Sequence, residues 1–285
     1  MLAQLTALVL LLVGFPQHHT LVAETPLYEL QQIGSRSYAF ITAPDQYEAL
    51  GSNSGFIITP DGVVVIDAHN GAAPETEIIK AIGQVTPLPV THVVNTHFHA
   101  DHSGGNTAHA ATTRILAHSE SQMRLKEGTT RTPDVGLRDD QILFPGPHEI
   151  RILAVGKAHS IGDLLVYDPR DQVLWGGDMY ISGMIGYLSE GWFRQWIASL
   201  DRALALPLRW AVPGHGPVTD PAGLRAFRDY LLVFARSARD HFAAGGSPSD
   251  YSLPPPYDRW GAQFFLPGNL TRAETLYRSG ELDGL

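Results

Sequence analysis

The sequence predicts an α/β protein: one domain in which two β-sheets pack together with helices outside. Three observations predict it. Apolar, β-rich runs alternate with segments of helical periodicity. That order occurs twice along the chain. Each half also places histidines at strand ends, where a sheet holds a side chain rigidly yet leaves it at the rim.

The elements follow in order. Ser37–Thr42 (SYAFIT) and Ser54–Thr59 (SGFIIT) read as strands, TPDG at Thr59–Gly62 as a turn, and Val63–Asp67 (VVVID) as a fully buried strand. Pro74–Val85 has Pro near its start and apolar residues at helical spacing, so a helix is expected. Val90–Thr96 is the next strand. GGNTAHAA, from Gly104, is expected to open a helix, Arg114–His118 to form a strand, and SESQMRLKEG to form a helix capped by Ser119. Gly128–Glu149 is a polar, turn-rich excursion and a candidate flap. A second strand series follows in EIRILAVG, DLLVYDP and VLWGGD, then an amphipathic helix over Gly191–Leu206, a strand in RWAVPGHG and a long helix over Pro221–Gly245. Residues 24–245 are expected to form the domain, and 246–285 a Pro- and Gly-rich linker with a C-terminal extension packed on it.

A net charge of -9 removes nucleic acid from the expected partners, because phosphate binding needs a basic face. With no cysteine, any metal must be held by His, Asp, Glu or water. Leu2–Phe15 is a short apolar block followed by Pro16. It matches the apolar stretch of a signal peptide better than a membrane span, with cleavage near Ala23 and residues 1–23 removed. The mature protein is then exported, periplasmic or secreted, with no stable membrane insertion.

The stretch NTHFHADHSGGN puts His97, His99, Asp101 and His102 within six residues, directly after an apolar run. Neither a continuous helix nor a continuous strand aims four such side chains at one point, whereas a loop leaving a strand does. His159, Asp178 and His215 follow, at strand ends or beside glycines. Seven ligands exceed one catalytic zinc, which takes three protein ligands and keeps an open position. They suit two ions: His97, His99 and His159 on the first, Asp101, His102 and His215 on the second, with Asp178 bridging. Zinc is the expected metal; imidazole and carboxylate also accept iron or manganese.

THFHADHSGG with His159, Asp178 and His215 downstream resembles the metallo-β-lactamase superfamily, and the strand ending in Asp67 resembles that family's first motif. The likeness spans Tyr28 to Val218. It implies a four-layer αββα sandwich with the metal site at one edge of the sheets. Class B lactamases carry Cys or a non-bridging residue where Asp178 stands, so the ligand set is similar to glyoxalase II. The segments SGMIGYLSEGWFRQWIASLDRAL and NLTRAETLYRSGEL resemble the metallohydrolases of the quinoprotein relay system and of sulfur-oxidation clusters.

The expected reaction is hydrolysis of an ester, thioester or amide of a small molecule by water activated at two metals, with Asp101 orienting the nucleophile. The alternatives are a β-lactamase, an iron-dependent oxidoreductase of sulfur compounds, and a non-catalytic metal-binding partner of a periplasmic redox system. Met179, Tyr180, Met184, Tyr187 and Trp192 are candidates for an apolar pocket. His69 and Asp163 are candidates to support the ligands from behind, Asp163 equally to cap a turn. His92, His109, His118, His148 and His241 show no partner pattern. Asn269 heads a glycosylation sequon.

Overall fold

Alternate side chains of a strand face opposite sides of its sheet, and in this chain both sides are apolar. Along Val63–Ile66, Val63 and Val65 join one buried cluster while Val64 and Ile66 join another. Along Leu164–Tyr167 the same alternation separates Leu164 and Val166 from Leu165 and Tyr167. Sheets buried on both faces must be covered on both, which gives three apolar interfaces and four layers.

The computed structural model describes residues 19–46 and 51–285. Its first sheet runs in chain order: β1 (Thr20–Glu24), β2 (Tyr28–Gln32), β3 (Ser37–Thr42), β4 (Ser54–Thr59), β5 (Gly62–Ile66), β6 (Val90–Val94), β7 (Arg114–His118) and β8 (Val135–Leu137). Pairing is antiparallel up to β5 and parallel from β5 to β8. The second sheet contains β9 (Gln141–Leu143), β10 (Ile150–Gly156), β11 (Asp163–Asp168), β12 (Val173–Trp175) and β13 (Trp210–Val212), ordered β13-β12-β11-β10-β9.

Helix α1 (Ala72–Val85) covers the outer face of the first sheet through Ile78, Ala81 and Ile82, set at helical spacing. Helices α2 (Ala100–Ser103) and α3 (Ser119–Leu125) are short. Three helices cover the second sheet: α4 (Phe193–Leu204), α5 (Pro221–Ala243) and α6 (Leu266–Arg278). Asp220 starts α5 by accepting hydrogen bonds from Ala222 N and Gly223 N, with Pro221 in the first turn. Trp196, Leu200, Phe227 and Phe234 fill this outer layer, and Leu270, Ala273 and Leu276 of α6 seal it. Burying one such side chain contributes about 1.5–3 kcal/mol, so a charge at Leu200 or Phe227 would unseat its helix. The result is an αββα sandwich.

The sheets are bolted together at both ends. At one end Arg36 Nε and Nη2 donate to Asp168 at 2.9 and 2.7 Å, both residues being buried. At the other, Asn53 Nδ2 donates to Pro213 O and Gly216 O, while Asn53 N donates to Gly214 O at 2.7 Å. This second bolt lies beside His215.

Some local expectations are corrected. GGNTA forms a 3-10 turn, and the helix precedes it as α2, because Gly104 and Gly105 run against the Ala68–Gly71 backbone too closely for side chains. The cap of α3 is His118, whose Nδ1 accepts from Glu120 N. Gly128–Glu149 is the crossover between sheets, held by β8 in one and β9 in the other. The apolar block Leu2–Phe15, expected as part of a signal peptide, lies outside the described residues; the residues around the expected cleavage point near Ala23 form β1. Among the described residues no helix is long and apolar enough to cross a membrane.

Candidate metal centre

The centre forms where strands of both sheets end. Strand β6 delivers the loop carrying His97 and His99, and α2 carries Asp101 and His102. From the second sheet, His159 precedes β11, Asp178 sits in a 3-10 turn after β12, and His215 follows β13. All seven converge. His97, His99, His159 and Asp178 form one set of donor atoms, and Asp101, His102, Asp178 and His215 a second, each with its atoms within 4.8 Å of one another.

In the first set, His99 Nδ1 lies 3.0 Å from His97 Nε2 and 3.1 Å from His159 Nε2. Three ring nitrogens face one point, and at most one N–H can be shared within such a pair. Asp178 Oδ2 stands 3.7 Å from His159 Nε2 on the same side. The other oxygen, Oδ1, turns to the second set, 3.1 Å from His102 Nε2 and 3.3 Å from His215 Nε2. Asp101 Oδ2 closes that set at 3.4 Å from His102 Nε2 and 3.3 Å from His215 Nε2. His102 Nε2 and Asp178 Oδ1 are buried without an aligned hydrogen bond, although each lies close to opposite charge. Ligand-type atoms of seven residues that converge this closely suit a cation between them, so the residues fit a metal.

The electrostatics agree. Burial and the neighbouring imidazoles of His102, His99 and His159 push His97 well below its ordinary pKa, and burial takes His159 down to about 3. Both are therefore neutral, the form that ligates. Burial opposes charge on His102 and His215, but the carboxylates outweigh it. Asp101, Asp178 and Asp67 hold His102 well above its usual value, and Asp178 with Asp101 raises His215 to about 9. Asp101 and Asp178 are correspondingly held well below the usual carboxylate range, against their burial.

Outer contacts fix the rings. Asp67, in left-handed backbone at φ 64, accepts from Thr96 N and Thr96 Oγ1 and from His102 Nδ1 at 2.8 Å, so Nε2 is the His102 nitrogen turned toward the centre. Glu190 Oε2 takes His99 Nε2 at 3.3 Å and turns Nδ1 toward the centre in the same way. Glu190, Asn53 and Thr96 were not anticipated; an acidic residue in the loop after Asp178 was the available hint for Glu190. Asp163 caps its own turn by accepting from Ser160 N and Oγ, and burial raises its pKa to about 7. His69 does not reach the ligands. It donates to buried Glu75, whose other oxygen meets His109 Nε2 at 2.9 Å, so His109 has a partner too.

Of the expected pocket residues, Met179 and Tyr180 are buried in the outer core. Trp192 lines a separate cleft of about 300 Å³ with Arg124 and Arg272, whose guanidinium lies 4.8 Å from its ring centre. Met184 and Tyr187 line a cleft of about 390 Å³ that reaches Asp178 and His215. Asn269 is buried, and its amide is engaged by Leu188 N and Gly186 O. A glycan has no access to it in the folded chain.

Comparison with known proteins is consistent across sequence and fold. The family model described as metallo-beta-lactamase superfamily matches residues 47–215, more than half of the chain. A type 2 metallo-β-lactamase of Bacillus sp. strain 170 is 29% identical over 65% of this chain and 74% of its own length. The enzyme of the same name from Bacillus cereus is 28% identical over 61% of this chain and 70% of its own. The solved metallo-β-lactamase from Pontibacter korlensis superposes with a TM-score of 0.63 at 24% identity, covering 72% of this chain and 98% of that one.

Proposed function

The chain belongs to the metallo-β-lactamase superfamily, and on that premise we propose that it is an exported hydrolase that cleaves an ester, thioester or amide of a small molecule with two zinc ions. One observation carries the reading. Asp178 presents Oδ2 to the His97–His99–His159 set and Oδ1 to the Asp101–His102–His215 set, so a single carboxylate belongs to both. When bound, two divalent ions supply Lewis acidity for a carbonyl oxygen and an acidified water at neutral pH.

The chain's own residues prepare the rest. His97 and His159 are kept neutral, and Asp67 and Glu190 set the ring faces of His102 and His99. Asp101 stays ionised and partly exposed at the mouth of the centre, where its carboxylate can accept a hydrogen bond from an attacking water and hold it in line. A donor set of imidazole and carboxylate without thiolate also accepts iron or manganese, so the metal is to be measured. Metal analysis of the purified protein, paired with an ester, thioester and amide panel, tests the proposal. Chelation should abolish turnover, and zinc should restore it. Hydrolysis that persists in His99→Ala with metal binding abolished would refute it.

A second reading, β-lactam hydrolysis, is favoured by the Bacillus relatives that carry that name. It is opposed by Asp178 in the position where class B lactamases carry Cys or a non-bridging residue. Turnover of a chromogenic cephalosporin by the zinc-loaded protein decides between them.

A further inference from the structure

The matched family region ends at residue 215, yet the cleft beside the centre is completed by residues far beyond it. Two segments, with Pro44 beside them, form its described walls. One is the loop after Asp178, with Ile181, Met184 and Tyr187; the other is the stretch from Ala262 to Phe265. Apart from Asp178 and His215 at its inner end, its lining is apolar or glycine. Tyr187 connects it to the ligands, its ring centre 6.0 Å from that of His99 and 5.7 Å from that of Phe265.

The outer wall is built in place. Gly261 N donates to Gly183 O at 3.1 Å and Ile185 N to Gly261 O at 3.2 Å, a short parallel bridge between the segments. Ala262 takes left-handed backbone at φ 61 and turns the chain into the Phe264–Phe265 pair. Helix α6 then clamps the same loop. Asn269 accepts from Leu188 N at 2.7 Å and donates to Gly186 O at 2.9 Å, and Arg272 Nε donates to Gly191 O at 2.8 Å. Gly268 permits the approach, since a side chain there would stand 2.6 Å from Ser189 Oγ. Against this fixed support Phe264 is 77% exposed, an aromatic ring left in water at the mouth of the cleft. A monomer gains nothing in stability from such exposure.

We propose that Ala262–Phe265 is a specificity wall, and that the substrate carries an aromatic or branched alkyl group next to its scissile carbonyl, seated between Phe264, Phe265, Met184 and Tyr187. The inference rests on the hydrolase reading and names its substrate class. A cleft of about 390 Å³ accommodates a phenyl-sized group with its linker. Outside the centre itself its described walls offer no cation, so a carboxylate or phosphate on that arm is disfavoured.

The test reads a ratio in the metal-loaded protein. Phenyl-bearing and methyl-bearing esters are compared by kcat/KM, with the ring placed on the acyl side in one series and on the leaving side in another. In parallel, calorimetry compares the Kd of 4-phenylbutyrate with that of butyrate, which needs no turnover. Wild type should favour the phenyl member of at least one ester series and of the acid pair by about tenfold or more, and Phe264→Ala should erase most of that preference. Ile142→Ala, an exposed apolar residue on the edge strand β9, should leave the ratios unchanged. A wild type without preference, or a ratio untouched by Phe264→Ala, overturns the inference. A binding preference with no ester, thioester or amide turned over supports the wall and overturns the hydrolase instead.

Discussion

Replacing Gly214 with alanine tests the shared carboxylate without touching a ligand. Gly214 N donates to Gly177 O at 2.8 Å and to Tyr180 O at 2.9 Å, and its carbonyl is held by Asn53 N, so the backbone there is fixed. An added Cβ would stand 2.0 Å from Asp178 Oδ1, 2.7 Å from Gly177 C and 2.9 Å from Asp178 N. Ordinary contact begins at 3.4 Å, so Oδ1 must retreat by about 1.4 Å, while the two backbone atoms cannot swing aside. Oδ1 is the oxygen that faces His102 and His215. The overpacking should cost about 1–3 kcal/mol, a tolerable loss for a folded domain. On the two-ion proposal, the ion of the second set should lose roughly 10–100-fold in affinity, the scale seen when a ligand's support is removed. Competition against a metal-buffering chelator should therefore give one tightly held ion instead of two, with His97, His99 and His159 still loaded and kcat/KM for the best ester depressed at least as far. A folded Gly214→Ala protein that keeps two ions at wild-type affinity would show that Asp178 Oδ1 ligates nothing.

Three further expectations concern the frame around the centre. Glu75→Leu should cost about 3 kcal/mol in urea unfolding, because the buried rings of His69 and His109 lose their shared carboxylate; a cost under about 1 kcal/mol would mean the rings find other partners. For Asp171, burial opposes the charge, but hydrogen bonds from Ser35 Oγ and Arg36 N outweigh it and hold the carboxyl below its ordinary 3.8. A lowered folded-state pKa adds stability above that value and loses it as pH falls below, so Asp171→Asn should cost about 1–2 kcal/mol at pH 7 and much less near pH 3. Equal costs at the two pH values would contradict this. Gly83 lies inside α1 with open space where a Cβ would go, so Gly83→Ala should raise stability by about 0.5–1 kcal/mol and leave activity unchanged.

The ligand set was legible because its chemistry is local: six residues hold four donors, and the other three sit against glycines or at strand ends. The sandwich was legible where strands are apolar throughout, as in VVVI and DLLVY. Strands β1 and β2 were not, since TLVAE and YELQQ mix polar and apolar residues. Contacts made by distant residues were equally hidden. Nothing in NLT says that Asn269 is buried against Gly186 and Leu188, and nothing local to His109 says that it meets Glu75 of α1. Met179 and Tyr180 looked like pocket residues because they follow Asp178, but the 3-10 turn at Gly177–Met179 sends them into the outer core.

Division of the ligands between the two halves has a physical consequence. The first half supplies His97, His99, Asp101 and His102, and the second His159, Asp178 and His215. Neither donor set is complete within one half, so neither sheet alone can close around an ion. Two rigid bodies must be held in register at their rims. Asn53 does this beside the centre, Arg36 and Asp168 do it at the far end, and the apolar layer of Val64, Ile66, Leu164 and Val166 fixes the spacing between. Ligand geometry here reads out sheet packing, and the free energy of binding an ion that only the assembled sandwich can hold is free energy added to the fold.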